Sequence, residues 1–324
     1  MVGSGRIADA HLTALKAAPD LAETTIIAGL PQERPRLEEL AHRFSGGQYS
    51  TDISDTIASP AVDAVIIAVP NDLHESLSIE ALCAGKHVLV EKPMATTLKG
   101  ARAMVAAAKD SRRTLMVAQC RRFFEGAQAA KARMGDLGRP ISIVHMLGVY
   151  NDGPRTAWWR SSTATAGLAI GLNGPHLIDT VLWLIDEQPR SVFTKSQRFQ
   201  DGWEGEDEAT IVIDFSGGSV ATGHLSLNMP QGVNERWVVG PNGMMRLVDD
   251  RNLWVNGRAE VAEEVVPYIG GDSSFNNQFR EFASAIAEGR RPLTAGEDIL
   301  TGVAVMEAAL ASARLGVPVS IDDV

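Results

Sequence analysis

The first 120 residues alternate two hydrophobic patterns. Short apolar runs cover residues 25–30, 63–69, 87–90 and 114–118. Their length and their lack of polar alternation predict strands that are buried on both faces of a parallel sheet. Between them, segments such as 72–84 and 98–109 repeat apolar residues every three or four positions, which predicts helices that cross from one strand to the next. Residues 1–120 therefore have the pattern of a doubly wound α/β domain.

The pattern changes after residue 121. A helical stretch to residue 134 precedes a strand near 141–149 and a helix at 174–185. Strand-like segments then follow one another at 209–215, 219–227, 235–239 and 244–248. Because glycine-rich turns separate them, we predict an antiparallel meander. The chain ends with two helices, at 275–288 and 296–315, and we assign a second domain to residues 121–324.

Composition narrows the function classes. A chain of 324 residues exceeds the usual size of one hydrophobic core, so two domains are expected. The formal net charge of −10 disfavours nucleic acid and anionic membranes as partners, because the overall field repels them. Cys83 and Cys120 lie in apolar segments and are expected to be buried free thiols of a reducing compartment. Since no apolar run approaches about 20 residues and no signal-peptide pattern is present, a cytoplasmic location is expected.

A glycine-rich motif stands at the start of the chain. It fits the G-x-G-x-x-A pattern and reads Gly3, Ser4, Gly5, Arg6, Ile7 and Ala8. Glycines at these positions allow a tight turn and let backbone N–H groups approach a pyrophosphate at a helix N-terminus. Followed by alternating strands and helices, the motif predicts dinucleotide binding. Only Met1 and Val2 precede it, so the first strand is expected to be truncated: either the natural start lies upstream, or a stub strand suffices.

The end of the next strand bears on the choice of cofactor. An acidic residue usually stands there and accepts a hydrogen bond from the ribose 2′-hydroxyl of NAD. Here the position is Leu30, and Arg34 and Arg36 follow just beyond it. An acid repels a 2′-phosphate whereas arginines attract one, so NADP is favoured slightly over NAD. The alternative is that both arginines belong to a solvated helix face.

Longer motifs indicate a family. The first reads Ala68-Val69-Pro70-Asn71-Asp72-Leu73-His74, and the second reads Ala84-Gly85-Lys86-His87-Val88-Leu89-Val90-Glu91-Lys92-Pro93. Together with Trp159-Arg160, the stretch 174–179 and the turn at 240–243, they resemble the signatures of the Gfo/Idh/MocA oxidoreductases, named for glucose-fructose oxidoreductase and inositol dehydrogenase. The resemblance implies an α/β fold with an N-terminal Rossmann domain, built on a doubly wound parallel sheet. It also implies a C-terminal α/β domain whose large, open, mainly antiparallel sheet often forms an oligomer interface.

The resemblance also implies a cofactor site. Its residues are Gly3, Gly5, Arg6, Ile7, Pro70, Asn71, His74, Glu91, Lys92, Pro93 and Gln119. In the family the lysine of the Glu-Lys-Pro motif, here Lys92, sits beside the nicotinamide and the reacting hydroxyl or carbonyl. A cation there stabilises alkoxide character as the hydride moves, and it can relay a proton. Its position directly after a buried strand agrees with this role, because open α/β sheets bind ligands at that edge.

A second family motif, D-x-G-x-H-x-x-D, corresponds to residues 172–179. His176 and Asp179 match it, but Leu172 stands in place of the first aspartate, so one of the usual catalytic groups is missing; Asn173 is a partial substitute. Because imidazole titrates near neutral pH, His176 is the predicted general acid or base. The alternative is a structural histidine at a helix start. The predicted substrate-binding residues are Arg122, Trp159, Arg160, Asn173 and Asp179.

These features predict an NAD(P)-dependent dehydrogenase or reductase that acts on a sugar, a cyclitol or a related polyhydroxylated molecule. Two alternatives stay open. The missing aspartate is compatible with a weakened protein that binds a dinucleotide or a sugar for regulation. In addition, some members of the family recycle a tightly bound NAD in lyase or glycosidase chemistry. A homodimer or homotetramer is expected, and no metal, because the histidines and cysteines lack the spacing of a metal site.

Overall fold

The structure is a computed structural model that describes residues 1–154, 156–264, 266 and 272–324. The chain forms two compact units. The first consists of Met1–Ala95, Lys99–Phe123 and Val266–Leu300. The second consists of Thr96–Leu98, Phe124–Val265 and Thr301–Val324. A segment from beyond residue 265 therefore belongs to the first unit.

Helices form where apolar residues recur every three or four positions. Their bounds are α1 Arg6–Lys16, α2 Arg34–Phe44, α3 Ile53–Ala58, α4 His74–Cys83, α5 Leu98–Ser111, α6 Glu125–Arg133, α7 Ala157–Arg160, α8 Ser162–Thr165, α9 Ala169–Leu172, α10 Gly174–Ile185, α11 Ser273–Glu288 and α12 Gly296–Leu315. The bounds of α10 and α12 are those predicted from the sequence.

Strands form at the short apolar runs and at several stretches that the hydrophobic pattern did not single out. Their bounds are β1 Ile27–Ala28, β2 Tyr49–Ser50, β3 Ala64–Ile67, β4 His87–Val90, β5 Leu115–Val117, β6 Ser142–Tyr150, β7 Pro189–Gln197, β8 Glu208–Phe215, β9 Val220–Ser226, β10 Asn228–Gly240, β11 Gly243–Val248, β12 Asn252–Val255, β13 Arg258–Val261 and β14 Val319–Ser320. Of these, β2, β7, β12, β13 and β14 were not predicted.

Parallel strands form the sheet of the first unit. Strands β3, β4 and β5 lie side by side, with Ile67 opposite Val90 and Val90 opposite Val117. Strands β1 and β2 form a second parallel pair. Val2 links the two groups through parallel bridges to Ile67 and Ala28, so the first strand is reduced to a single bridging residue. The resulting order, β2, β1, Val2, β3, β4, β5, is that of a doubly wound Rossmann sheet.

Helix α11 packs into the core of this first unit. Its aromatic side chains share a buried cluster with residues of α1 and of the central strands; members include Ala10, Ala14, Leu89, Met116, Phe275, Phe279 and Phe282. In addition, Ala295, which follows α11, forms an antiparallel bridge with Met116 of β5. The first unit is therefore completed by a part of the chain that follows strands β6 to β13 of the second sheet.

The second unit contains a nine-stranded sheet among the residues described. Its order is β13, β12, β11, β10, β6, β9, β8, β7, β14. The predicted simple antiparallel meander is wrong at one place, because β6 lies between β9 and β10 and runs parallel to β9. Strand β10 finds its partner in β6, far earlier in the chain, and this pairing leaves no local trace in the hydrophobic pattern. The sheet is large and mainly antiparallel, as predicted.

The two faces of this sheet differ. Helix α10 covers one face, where Leu177 lies so close to Gly223 that a Cβ there would be 2.5 Å from the leucine side chain. The opposite face exposes large apolar side chains, with 54% exposure at Val144, 41% at Trp237 and 46% at Val239. One face of the sheet is thus buried by helices, and apolar side chains on the other remain accessible in the single chain.

Two further features concern expectations from composition. Cys83 and Cys120 are both free, but only Cys120 is buried; Cys83 lies exposed at the end of α4, so its predicted burial is wrong. No single helix among the described residues is long and apolar enough to cross a membrane. Only a pair bent by 48°, Ser162–Leu172 with Gly174–Ile185, meets that length and composition jointly.

Candidate active site

The glycine motif forms a tight loop before α1. Gly3 adopts a φ of +103°, and a Cβ there would lie 2.1 Å from the carbonyl oxygen of Ala68, so only glycine fits between the loop and the end of β3. A Cβ on Gly5 would meet nothing within 4 Å. Gly5 and Arg6 are exposed, and no side chain caps the N-terminus of α1. This end of an 11-residue helix is therefore open to an anion.

Three strands of the first sheet end at the same edge. Since β3, β4 and β5 are parallel and in register, the residues that follow Ile67, Val90 and Val117 lie together there. These are the segments that carry the predicted cofactor residues Pro70, Asn71, His74, Glu91, Lys92, Pro93 and Gln119. The structure thus gathers at one edge residues that are up to 49 positions apart (119 − 70) in the sequence.

His74 joins two of these strand ends. Its Nδ1 lies 2.7 Å from the carbonyl oxygen of Pro93 and its Nε2 lies 3.0 Å from that of Val69. A neutral imidazole has one N–H, so it donates to only one of these carbonyls at a time. Burial lowers the pKa of His74, and the two carbonyls oppose that shift because they favour the protonated ring. We therefore expect His74 to hold the loop of Lys92 as a neutral side chain.

Glu91 has a buried partner that the sequence did not indicate. His11 of α1 places its Nε2 2.8 Å from Glu91 Oε1, and both side chains are at most 10% exposed. The backbone N–H of Lys92 donates to Glu91 Oε2 at 3.1 Å. Burial raises the pKa of Glu91, but His11 and Lys92 outweigh it and bring the pKa below its usual value. Glu91 is therefore an ionised group directly beside Lys92.

Lys92 itself is partly exposed. The low-polarity surroundings of its ammonium lower its pKa, and Arg121 adds to this shift, whereas the negative charge of Glu91 opposes it. Burial raises the pKa of the Cys120 thiol to about 12, so that group stays protonated at neutral pH and is not a nucleophile. Lys92 is thus the group in this cluster that is suited to exchanging a proton with a ligand.

Gln119 and Arg122 follow β5 in a tight turn of the same unit. The N–H of Arg122 donates to the carbonyl oxygen of Gln119 at 3.1 Å, and both residues are buried, with 3% and 7% exposure. Gln119 belongs to the predicted cofactor residues and Arg122 to the predicted substrate residues. The turn holds both near the strand edge that carries Lys92.

The remaining predicted residues lie in the second unit. His176 is half-buried in the first turn of α10, and its N–H donates to the carbonyl oxygen of Asn173 at 3.1 Å. Asp179 lies one turn further along and is 4% exposed. Leu172, at the end of α9, is 8% exposed and presents an apolar side chain where the family motif has an acid. The backbone of His176 is therefore held by a hydrogen bond to a residue close to it in the sequence.

A short helical segment precedes this motif. Trp158 and Trp159 of α7 are half-buried and meet edge to face, with 6.0 Å between ring centroids, and Arg160 beside them is exposed. Glu206 fixes the start of α9, because its carboxylate accepts hydrogen bonds from the N–H groups of Leu168 and Ile170 at 2.9 Å. Burial raises the pKa of Glu206. Trp159 and Arg160 thus lie on α7, shortly before α9, whose start is held by the carboxylate of Glu206.

The structure adds a carboxylate near the glycine loop. Glu33 ends a short 3-10 turn, Pro31–Glu33, that follows β1. Its Oε1 accepts a hydrogen bond from Ser4 Oγ at 2.8 Å, and its Oε2 accepts one from the N–H of Leu30 at 2.7 Å. The available signal was a proline followed two residues later by glutamate, because a glutamate at the third position of a helix reaches back to the N–H that precedes it.

Known proteins resemble both units. Residues 1–119 match the profile described as an oxidoreductase family with an NAD-binding Rossmann fold, and residues 128–246 match that of the GFO/IDH/MocA C-terminal domain. The 1,5-anhydro-D-fructose reductase of Ensifer adhaerens is 30% identical over 281 residues, 81% of this chain and 82% of that protein. The inositol 2-dehydrogenase of Acidothermus cellulolyticus is 29% identical over 259 residues, 78% of this chain and 73% of that protein.

A solved structure agrees in fold over nearly the whole chain. It is that of levoglucosan dehydrogenase in complex with NADH and levoglucosan, with a TM-score of 0.87 at 24% identity. The match covers 98% of this chain and 97% of that one. The fold inferred from the sequence, a Rossmann sheet followed by a large mainly antiparallel sheet, is therefore confirmed.

Proposed function

The chain belongs to the GFO/IDH/MocA oxidoreductase family, and on that premise we propose that it transfers a hydride between a nicotinamide dinucleotide and a carbinol carbon. The substrate is a sugar, a cyclitol or a related polyhydroxylated molecule. The observation that carries the proposal is the edge of the first sheet, where the glycine loop follows Val2 and the Glu91–Lys92 pair follows β4, with only β3 between them. The two named relatives, a 1,5-anhydro-D-fructose reductase and an inositol 2-dehydrogenase, support the substrate class.

The first unit fits a dinucleotide. The backbone of Gly3 packs directly against the end of β3, and Gly5 leaves the N-terminus of α1 uncovered, so backbone N–H groups and the helix dipole are available to a pyrophosphate. Arg6, Ile7 and the residues at the strand edge line the same side of the sheet in our proposal. When bound, the nicotinamide ring accepts the hydride in oxidation and donates it in reduction.

We assign Lys92 to the reacting oxygen. During oxidation the substrate hydroxyl loses its proton while its carbon loses a hydride, so negative charge develops on that oxygen. An ammonium beside it stabilises this charge, and a lowered pKa strengthens the hydrogen bond that the lysine donates to the oxygen, while the net proton transfer falls to His176. Glu91 and His11 act indirectly. His11 pairs with the Glu91 carboxylate, and that carboxylate accepts a hydrogen bond from the backbone N–H of Lys92 and so positions it.

His176 is assigned to the proton. It takes up the hydroxyl proton in oxidation and returns it in reduction, because an imidazole is suited to general acid and base catalysis and this one is only half-buried. Asn173 and Asp179 orient the substrate near it. Trp159 offers an apolar face to the C–H groups of a sugar, and the planar guanidinium of an arginine such as Arg160 or Arg122 binds hydroxyl or carboxylate oxygens.

One observation favours a second candidate function. Leu172 replaces the acid of the family motif with a side chain that neither orients a hydroxyl nor accepts a proton. A protein weakened in this way would bind a dinucleotide or a sugar and signal its presence without turnover. Cofactor binding in the absence of any turnover on a broad substrate panel would support this candidate over the dehydrogenase.

The test is a panel of sugars, sugar acids and cyclitols, each incubated with NAD and with NADP while the absorbance of the reduced nicotinamide is followed. We expect reduction of the cofactor with at least one member of the panel. Consumption of substrate without net formation of reduced cofactor would instead indicate chemistry with a recycled dinucleotide. If neither cofactor binds in a calorimetric titration, the proposed function is wrong.

We also propose a homo-oligomer, a dimer or a tetramer, formed through the exposed face of the second sheet. Val144, Trp237 and Val239 leave apolar surface in contact with water there, and a second copy of the face would cover it. Light scattering should show at least a dimer for the wild type and a smaller species for Val144→Lys. Val317→Lys, at an apolar position that is 52% exposed outside this face, is the matched control. The free thiols support a reducing compartment, so the cytoplasm remains our proposed location.

A further inference from the structure

The carboxylate of Glu33 lies between the end of β1 and the glycine loop. It is fixed at both oxygens, by Ser4 of the loop and by the N–H of Leu30 at the strand end. Gly29 makes this fold-back possible, because a Cβ there would lie 2.8 Å from Glu33 Oε2. Leu30 occupies the usual position of the acid at the end of β1. The side chain of Glu33, three positions later, folds back and places a carboxylate at that strand end.

The nearby arginines are differently placed. Arg36, one of two cations expected to attract a 2′-phosphate, pairs with the buried Asp9, donates to Glu39 at 2.6 Å and points its Nε at the carbonyl oxygen of Ser4 at 3.4 Å. Its guanidinium is therefore occupied by protein groups. Arg34 remains exposed at the start of α2. The sequence predicted two arginines available to a 2′-phosphate. In the structure only Arg34 is exposed near this strand end, and the carboxylate of Glu33 is fixed there.

We propose that Glu33 is the residue that selects NAD over NADP. Each carboxylate oxygen keeps a lone pair beyond the bond that fixes it, so it accepts a hydrogen bond from a ribose hydroxyl. A 2′-phosphate at the same place meets a like charge that cannot turn away, because Ser4 and Leu30 hold it. The proposal rests on the proposed dinucleotide site, and it reverses the expectation drawn from Leu30, Arg34 and Arg36.

The test is a pair of dissociation constants, for NAD and for NADP, measured by calorimetry on the full chain. We expect the wild type to bind NAD at least about tenfold more tightly than NADP, a difference of about 1.4 kcal/mol. Glu33→Gln keeps an oxygen acceptor for Leu30 but loses the charge, so the ratio should fall to within about threefold. Glu297→Gln, which removes one exposed glutamate in the first turn of α12, should keep the wild-type ratio.

Ionic strength gives a second measurement that does not depend on a variant. Screening weakens both repulsion and attraction between exposed charges, so the wild-type preference for NAD should narrow as salt increases if Glu33 repels the phosphate. If Arg34 dominates instead, NADP binds at least as well as NAD at low salt and weakens with added salt, and the proposal is overturned.

The possible results distinguish a failure of the role proposed for Glu33 from a failure of dinucleotide binding. Equal binding of both cofactors, or an unchanged ratio in a folded Glu33→Gln, overturns the role of Glu33 while dinucleotide binding stands. Failure of the wild type to bind either cofactor overturns the proposed function and this inference together. A melting curve for each variant shows whether a changed ratio comes from a folded protein.

Discussion

The loop after β4 and the start of α10 each carry a predicted catalytic side chain, but they are stabilised differently. The loop is held by side chains from distant parts of the sequence: His11 binds Glu91 across 80 positions, and His74 contacts the carbonyl oxygen of Pro93 across 19. At the start of α10 the N–H of His176 bonds to a carbonyl three residues earlier, and Thr180 Oγ donates to the carbonyl of His176 at 2.7 Å.

The two catalytic candidates, Lys92 and His176, therefore differ in how much their positions depend on residues far away in the sequence. Around Lys92, buried charges set the protonation and the backbone position, so substitutions on α1 or α4 should be felt at the lysine. The backbone of His176 is held by bonds to residues within four positions of it, so changes far away in the sequence should disturb its backbone less. Variants that remove a distant partner should therefore affect the loop more than comparable changes affect the helix start.

The largest effect is expected at Lys92 itself. Lys92→Met keeps most of the aliphatic stem but loses the ammonium, so turnover should fall at least about a hundredfold while folding and cofactor binding survive. Steady-state kinetics on the identified substrate, beside a melting curve, check this. Lys99→Met, on the exposed first turn of α5, is the control and should leave kcat unchanged. Near-normal kcat in a folded Lys92→Met would contradict the proposed role.

Removal of the distant partner comes next. His11→Leu leaves the Glu91 carboxylate buried without the imidazole, so the free energy of unfolding should fall by about 2 kcal/mol. Denaturant unfolding measures the loss. In Glu91→Gln the amide carries no charge that needs a partner, so adding His11→Leu to it should cost clearly less than in the wild type. If the two costs are equal, the contact between His11 and Glu91 does not hold the loop.

His176→Asn should act more mildly than Lys92→Met. The amide keeps a polar group at the helix start but cannot exchange a proton near neutral pH, and water can partly replace it, so kcat should fall about tenfold. The pH profile of kcat should also differ from that of the wild type, because the amide that replaces the imidazole cannot exchange a proton. An unchanged pH profile would identify His176 as a structural histidine, and a melting curve would separate the two effects.

The smallest effect concerns pH and His74. Because the pKa of His74 is lowered in the folded state, the unfolded chain takes up the proton first on acidification; the contribution of the residue is complete above its ordinary pKa of about 6.5 and is lost as pH falls below it. Between pH 7 and about 5.5 the wild type should lose stability relative to His74→Gln. His42→Gln, at an exposed histidine of α2, should follow the wild type. Parallel curves for all three proteins would show that His74 is not buried as a neutral ring.

Several parts of the fold could be predicted because their signals are local. The bounds of α10 and α12 followed from apolar positions at helical spacing, and β4 followed from a four-residue apolar run. Strands β7 and β12 were missed, because half-buried stretches with polar positions give little contrast between apolar and polar residues. The neighbour of β10 was wrong for another reason: pairing with β6 depends on the whole sheet, not on the turn between β9 and β10.

The candidate site divides in the same way. Lys92 could be placed at a strand end from the order of elements and the Glu-Lys-Pro motif, and the glycine loop from its spacing. His11 carried no signal, because a histidine on the buried side of a helix looks like many others until its partner is known. Glu33 had a weak signal in the proline-led turn before it, but its contact with the glycine loop became visible only in the position of Ser4.

The sequence by itself determined the types of the predicted elements, the strand that Lys92 follows, the helix that carries His176, and the glycine positions, because each depends on a few neighbouring residues and on hard steric limits. The tertiary structure decided which charges are neutralised. Asp9 forms an ion pair with Arg36, and His11 pairs with Glu91. The carboxylate of Glu33 folds back and accepts a hydrogen bond from the N–H of Leu30. Electrostatic energies depend on distance and on burial, and both arise only when segments far apart in the chain pack together.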